Sequence, residues 1–140
     1  IATGDVFKVA NPGRNGVIVQ TYYINIRAQC DLVRSRNPHL YCLKGKAIDE
    51  RLINRKGGTE FNCINGEFTE KKYTAIVPFI DDGNIIEFDF TDLLRKTWNE
   101  MKTNRIGRLL PPYITSIQQR YSHYLHRQGL PRTPKDAMKD

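Results

Sequence analysis

The amino-acid sequence predicts an α+β domain, a small and strongly bent antiparallel sheet or SH3-like barrel followed by one or two C-terminal helices. Three observations carry that class. Runs rich in β-branched and aromatic residues recur between Gly4 and Phe90, separated by clusters of Gly, Asn, Asp and Pro. Asn65-Gly66 and Asp82-Gly83 stand between consecutive runs, and both dipeptides favour the positive φ of the tight type I′ turns that join antiparallel neighbours. After Thr91 the apolar spacing changes to threes and fours, the period of a helix.

Residues 4–10 (GDVFKVA) alternate as a short strand, and the turn cluster Asn11-Pro-Gly-Arg-Asn-Gly16 predicts a hairpin. Residues 17–28 (VIVQTYYINIRA) form the second strand, with Tyr22, Ile24 and Ile26 facing in and Tyr23, Asn25 and Arg27 on the other face. A polar break over residues 34–39 precedes a third strand, 40–48 (LYCLKGKAI), in which Gly45 marks a bulge or a close approach of backbone. Residues 49–58 end in Gly57-Gly58 and read as a loop or a single helical turn. FNCI and EFT then pair across Asn65-Gly66, and YTAIVPFI and NIIEFDF pair across Asp82-Gly83. Ile86, Phe88 and Phe90 alternate with Glu87 and Asp89, which predicts one dry face and one wet face, while Pro78 argues for an edge or a bulge.

Thr91 is the expected N-cap of a helix over residues 92–104, with Asp92 at the positive end of the helix dipole and Leu94, Trp98 and Met101 at helical spacing. The last helix carries signals at both ends: Pro112 suits a first turn, Gly129 a stop, and Pro131 blocks continuation. Ile114, Ile117, Tyr121 and Tyr124 form its apolar stripe, and Arg120, His123 and Arg127 lie off it on a wet basic face. A length of 140 residues suits one core, so residues 1–130 are expected to form a single globular domain and 131–140 a flexible tail. Because the chain opens on Ile1 with no signal-peptide pattern, it reads as a piece of something longer, with an N-terminal partner domain as one expectation.

The chain has 22 basic and 15 acidic residues. Seven of the basic ones, Lys102, Arg105, Arg108, Arg120, Arg127, Arg132 and Lys135, lie in residues 101–135, which contain no acid, so the whole excess of +7 is local to that region. A local basic field points to a polyanion, nucleic acid first. Residues 1–46 also lean positive, and Arg34, Arg36, Lys44 and Lys46 are a second contact set if they adjoin the first. Tyr22, Tyr23 and Tyr113 are then available to stack on unpaired bases, unless they belong to the core. Arg105, Arg108, Arg120 and Arg127 are the expected phosphate contacts, and reversing the charge of Arg105 and Arg108 is expected to weaken binding with little effect on thermal stability.

No apolar run approaches the roughly 20 residues that span a bilayer, so no membrane partner is expected. Cys30, Cys42 and Cys63 leave one thiol unpaired under any disulfide scheme and match no Cys-x-x-Cys pattern, which fits a reducing cytoplasm and small hydrophobes in strands. His39, His123 and His126 show no ligand spacing with the cysteines, so no metal and no cofactor is expected. Cys30, Asp31 and His39 are close enough in sequence to meet at one loop mouth as a nucleophile and its base. A strand-end Cys followed by an Asp that caps the next turn explains the same residues more simply.

Gly4-Asp5-Val6 at the first strand, the long second strand through Ile26, and Arg105-Ile106-Gly107-Arg108-Leu109 before the last helix together resemble the MazF and PemK endoribonuclease toxins over about a third of the chain. The resemblance implies an SH3-like barrel with a C-terminal helix and an RNA partner. That family's catalytic pattern is an Arg-Pro pair at the head of the second long strand and a Thr or Ser shortly after the third. Here no Arg-Pro pair precedes residues 17–28, and Ala47-Ile48-Asp49 bring no hydroxyl. Attack by a 2′-hydroxyl needs a base and a cation, so binding survives this departure better than cleavage. The sequence therefore predicts a nucleic-acid-binding module, RNA favoured over DNA. The alternatives are a regulatory or output domain docking on a protein or on its own chain, and a single-stranded RNA endoribonuclease whose activity is lost on replacing Arg27, Arg34 or Arg108.

Overall fold

A computed structural model describes residues 1–28, 36–49 and 73–128. The hairpin at Asn65-Gly66, the loop beyond Asp49, the Gly129 stop and the tail all lie outside the described residues. Six strands form one sheet: β1 (Asp5–Pro12), β2 (Ile18–Asn25), β3 (His39–Ile48), β4 (Thr74–Asp81), β5 (Asn84–Thr97) and β6 (Arg105–Arg108). Their order is β4-β5-β3-β2-β1-β6, and every pairing is antiparallel. The two edges, β4 and β6, approach one another without pairing, so the sheet curls into a half-barrel.

The alternation in the sequence decides which side chains fill the curl. Val6, Tyr22, Ile24, Leu43, Val77, Ile86, Phe88 and Phe90 share the concave face. Helix α2 (Tyr113–Gln128) covers them, inserting Ile114 and Ile117, while Tyr121 and Tyr124 stack against Phe90 at ring separations of 6.0 and 6.1 Å. Burying the two isoleucines contributes roughly 1.5–3 kcal/mol each. The inward set Tyr22, Ile24 and Ile26 is as the sequence predicts. The opposite face is not wet throughout: Phe7, Tyr23, Leu40, Cys42 and Met101 form a second core, with Trp98 edge-on to Phe7 at 6.2 Å. Both tyrosines offered for base stacking at Tyr22 and Tyr23 are thus core residues, and Glu87 on the expected wet face is buried.

Residues 92–104 do not form the expected helix. β5 runs on to Thr97, and only α1 (Trp98–Met101) and a 3-10 turn (Lys102–Asn104) follow. Two local bonds explain the difference. Thr91 gives its backbone N–H and its hydroxyl to Asp89 Oδ1, at 2.9 and 2.7 Å, which bends the strand where its register against β3 shifts by three residues. The helix cap is Thr97: its hydroxyl accepts from Glu100 N while Glu100 accepts from Thr97 N, a capping box that the Thr97-x-x-Glu100 spacing already spells. Leu93 and Leu94 pair with Leu43 and Cys42, so tertiary pairing outweighs helical spacing here.

Gly45 lies under the Phe88 ring, and a Cβ there would stand 2.6 Å from Phe88 Cδ1 and 2.9 Å from the Glu87 carbonyl. The close approach expected at this glycine is what the sheet requires. Asp82-Gly83 joins β4 to β5 in two residues, with Gly83 at φ +73° and Asp82 outside the left-handed region, so the hairpin forms without a type I′ turn. Pro78 sits on an edge strand and also in a bulge, between the pairs Val77–Ile86 and Asp81–Asn84.

Asp81 fastens β4 across the concave face to the opposite side of the sheet. It accepts from Lys8 Nζ at 2.9 Å, from the Tyr22 hydroxyl and from Asn84 Nδ2 at 3.2 Å. The Lys8 bond, then the Tyr22 bond, hold its carboxyl below the ordinary 3.8, and the same Lys8 bond holds the ammonium above 10.5. Asp81 therefore adds stability at pH values above its unfolded pKa, lost as pH falls through its depressed folded value; Lys8 adds stability below its unfolded pKa, lost as pH rises through its raised one. In urea titrations, Asp81→Asn is expected to lower stability at neutral pH by up to about 1 kcal/mol and to flatten the decline between about pH 5 and 3. An undiminished acid decline would contradict this account. Gly45→Ala is expected to cost about 1–3 kcal/mol in the same titration, because Phe88 or the β5 backbone must shift.

Candidate nucleic-acid interface

Arg105 and Arg108 are three residues apart on one strand, and a regular strand would point them to opposite faces. The register against β1 removes that opposition. Asp5 pairs with Arg108, Val6 with Gly107 and Phe7 with Arg105, so Ile106 is an extra residue, and the bulge brings both arginines to the Asp5 side. Arg105 Nε donates to Asp5 Oδ1 at 2.8 Å and Arg108 Nε donates to the same oxygen at 3.1 Å. The other oxygen accepts from Ala2 N at 2.7 Å. Asp5 is fully buried, whereas the two arginine side chains are 36% and 39% exposed. One carboxylate thus orients two guanidiniums by their Nε atoms and leaves one net positive charge.

The backbone around Asp5 is equally constrained. Gly4 has φ +94°, and a Cβ on it would fall 2.2 Å from the Leu109 carbonyl oxygen. Its N–H donates to Asn25 O, and its own carbonyl accepts from Leu109 N. Buried Asn25 accepts from Arg27 N and Tyr41 N and donates to Ala2 O. β6 and the start of the chain are therefore held to β2 by polar groups centred on the buried Asp5 and Asn25.

Two members of the second predicted set, Lys44 and Lys46, do not join the first. Lys44 and Lys46 are exposed on β3, which β2 and β1 separate from β6, three inter-strand steps or about 14 Å along the sheet. Their register partners are Asp89 and Glu87, and with Asp92 these groups line a depression of about 170 Å³ in which the two signs alternate. Arg36 is exposed. Arg120 is not on a wet face as predicted: its three guanidinium nitrogens are out of solvent with no hydrogen-bond partner among the described residues, and burial lowers its pKa. Arg127 belongs to α2. Cys30, Asp31 and Arg34 lie outside the described residues.

His39 accepts from Arg27 Nη1 through its carbonyl at 2.6 Å, and its Nδ1 is buried without a hydrogen bond among the described residues. Arg27 lies over the Tyr41 ring at 5.0 Å, so its guanidinium is engaged within the fold. Cys42 is a core residue whose thiol burial pushes up to about 12, which removes it from nucleophilic chemistry at neutral pH. Among the described residues no group of His, Cys, Asp and Glu has the arrangement of a metal site, and no helix is long and apolar enough to cross a membrane.

Sequence reasoning missed Asp5 as the organiser of the arginine pair. Its signal was an isolated acid in a strand, one of two acids in residues 1–46, but the partners lie a hundred residues away. The chain matches no protein-family model, no curated protein and no solved structure. Asp5→Asn is expected to lose about 2–3 kcal/mol of stability in chemical denaturation, since it weakens two charge-assisted bonds to partly solvated cations. A loss under about 0.5 kcal/mol would show that Asp5 does not hold β6.

Proposed function

We propose that this domain binds nucleic acid, RNA in preference to DNA, without cleaving it, as a cytoplasmic SH3-like barrel of the kind that the MazF and PemK resemblance implies. The observation that carries the reading is the arginine pair fixed on Asp5. Guanidinium forks bind phosphate oxygens in a planar, bidentate way. Holding two of them by Nε keeps their Nη edges available and lowers the entropy lost when phosphate binds. In the described residues neither guanidinium has another hydrogen-bond partner. Arg105 and Arg108 lead the contact set because Arg120 is occluded and the β3 lysines face acids, while Arg36 is exposed and Arg34 and the Arg127 side chain lie outside the described residues.

Charge reversal, which the sequence alone recommends as a stability-neutral test, would set an acid against buried Asp5. Glutamine is the better probe. The Arg105→Gln/Arg108→Gln variant is expected to bind single-stranded RNA about tenfold more weakly, and its log K against log salt slope should shrink by about 1.4, or 0.7 per phosphate lost. Anisotropy titrations of single- and double-stranded RNA and DNA across a salt series measure both quantities. Unchanged affinity and slope in a folded variant, or a partner-dependent complex indifferent to polyanions, would point to protein docking instead.

A further inference from the structure

Phe79 is both exposed and strained. It lies in the β4 bulge, where Pro78, Phe79 and Ile80 face the single residue Ile85 of β5, and its φ is +78°. A bulky residue adopts that region only where its surroundings impose it, and such outliers gather at ligand sites. The ring is 67% exposed instead of packed.

The bulge forms one wall of a groove of about 400 Å³ along the seam between the two sheet edges. Arg108, Leu110 and Tyr113 form the other wall. Leu110 and Tyr113 are exposed, as is Ile106 on the same edge, so the apolar surface is continuous with the arginine pair. Among the described residues neither the Phe79 ring nor the Tyr113 ring meets another aromatic ring, in contrast to the cluster of Phe90, Tyr121 and Tyr124. Among the described lining residues Arg108 carries the charge, and it shares Asp5 with Arg105, leaving the rim positive.

We infer that this groove receives an unpaired base of a single-stranded nucleic acid, stacked on Phe79 and Tyr113, with the adjoining phosphate on Arg108. The inference rests on the nucleic-acid reading and narrows it to a site and a strand state. Free aromatic faces beside an oriented cation complement a nucleotide, which presents a flat π surface next to an anion. A base inside a duplex has no free face, so the groove selects single strands. An apolar peptide would cover the rings but bring no counter-charge to Arg108.

The test uses the full chain and two labelled strands of equal length, oligouridylate and its abasic counterpart, in anisotropy titrations. Wild type is expected to prefer oligouridylate by about fivefold or more, the effect of base stacking. Phe79→Gly, which suits the positive φ, and Tyr113→Ala should each reduce that preference while leaving the salt slope unchanged. Both change exposed side chains, and Phe79→Gly should melt at or above the wild-type temperature by circular dichroism. If both variants keep the wild-type preference while Arg105→Gln/Arg108→Gln weakens binding, the groove assignment is overturned and nucleic-acid binding stands. If wild type retains neither strand, both readings fall together.

Discussion

The buried carboxylate of Asp5 is the constraint on which the rest of this fold depends. An ionised group removed from water must be compensated, and here three donors converge on it: the Ala2 amide and the Nε groups of Arg105 and Arg108. Meeting that demand determines the register of β6, places the bulge at Ile106 and fastens the chain's start to a segment a hundred residues later. The same demand explains why two cations stand side by side on an edge strand, where their mutual repulsion would otherwise separate them.

A half-barrel of this size must also keep its edges from drifting apart, because β4 and β6 exchange no backbone hydrogen bonds. Polar crosslinks and helix packing do this together. Asp81 gathers Lys8, Tyr22 and Asn84 at one position, while α2 fills the concavity and donates from Gln118 Nε2 to the Ile26 carbonyl at 2.9 Å. The bend in β5 at Asp89 and Thr91 lets one long strand serve both the curled and the outer part of the sheet. What remains open is the seam itself, where strain, exposed aromatics and an oriented cation coincide.

Net charge proved a blunt guide to that location. Seven uncompensated cations in residues 101–135 suggest a single basic surface, yet the described members have different fates. Arg105 and Arg108 are oriented by a remote acid, and Arg120 is occluded beside an apolar stripe. Outside that region, Lys44 and Lys46 face Asp89 and Glu87 across a strand pair. Counting charges along a chain omits cross-strand neighbours, and these decide whether a cation is free, shared or neutralised.

By itself the sequence determined the antiparallel class, the inward face of β2, an edge or a bulge at Pro78, a bulge or a close approach at Gly45 and the apolar stripe of the last helix. Each is written in local alternation or in the backbone freedom of one residue, which needs no knowledge of distant partners. Only the tertiary structure decided that residues 92–97 extend a strand, that Tyr23 and Glu87 are covered, and that Asp5 gathers two arginines. Those outcomes depend on pairings between segments tens of residues apart, where burial and cross-strand contacts outweigh local propensity.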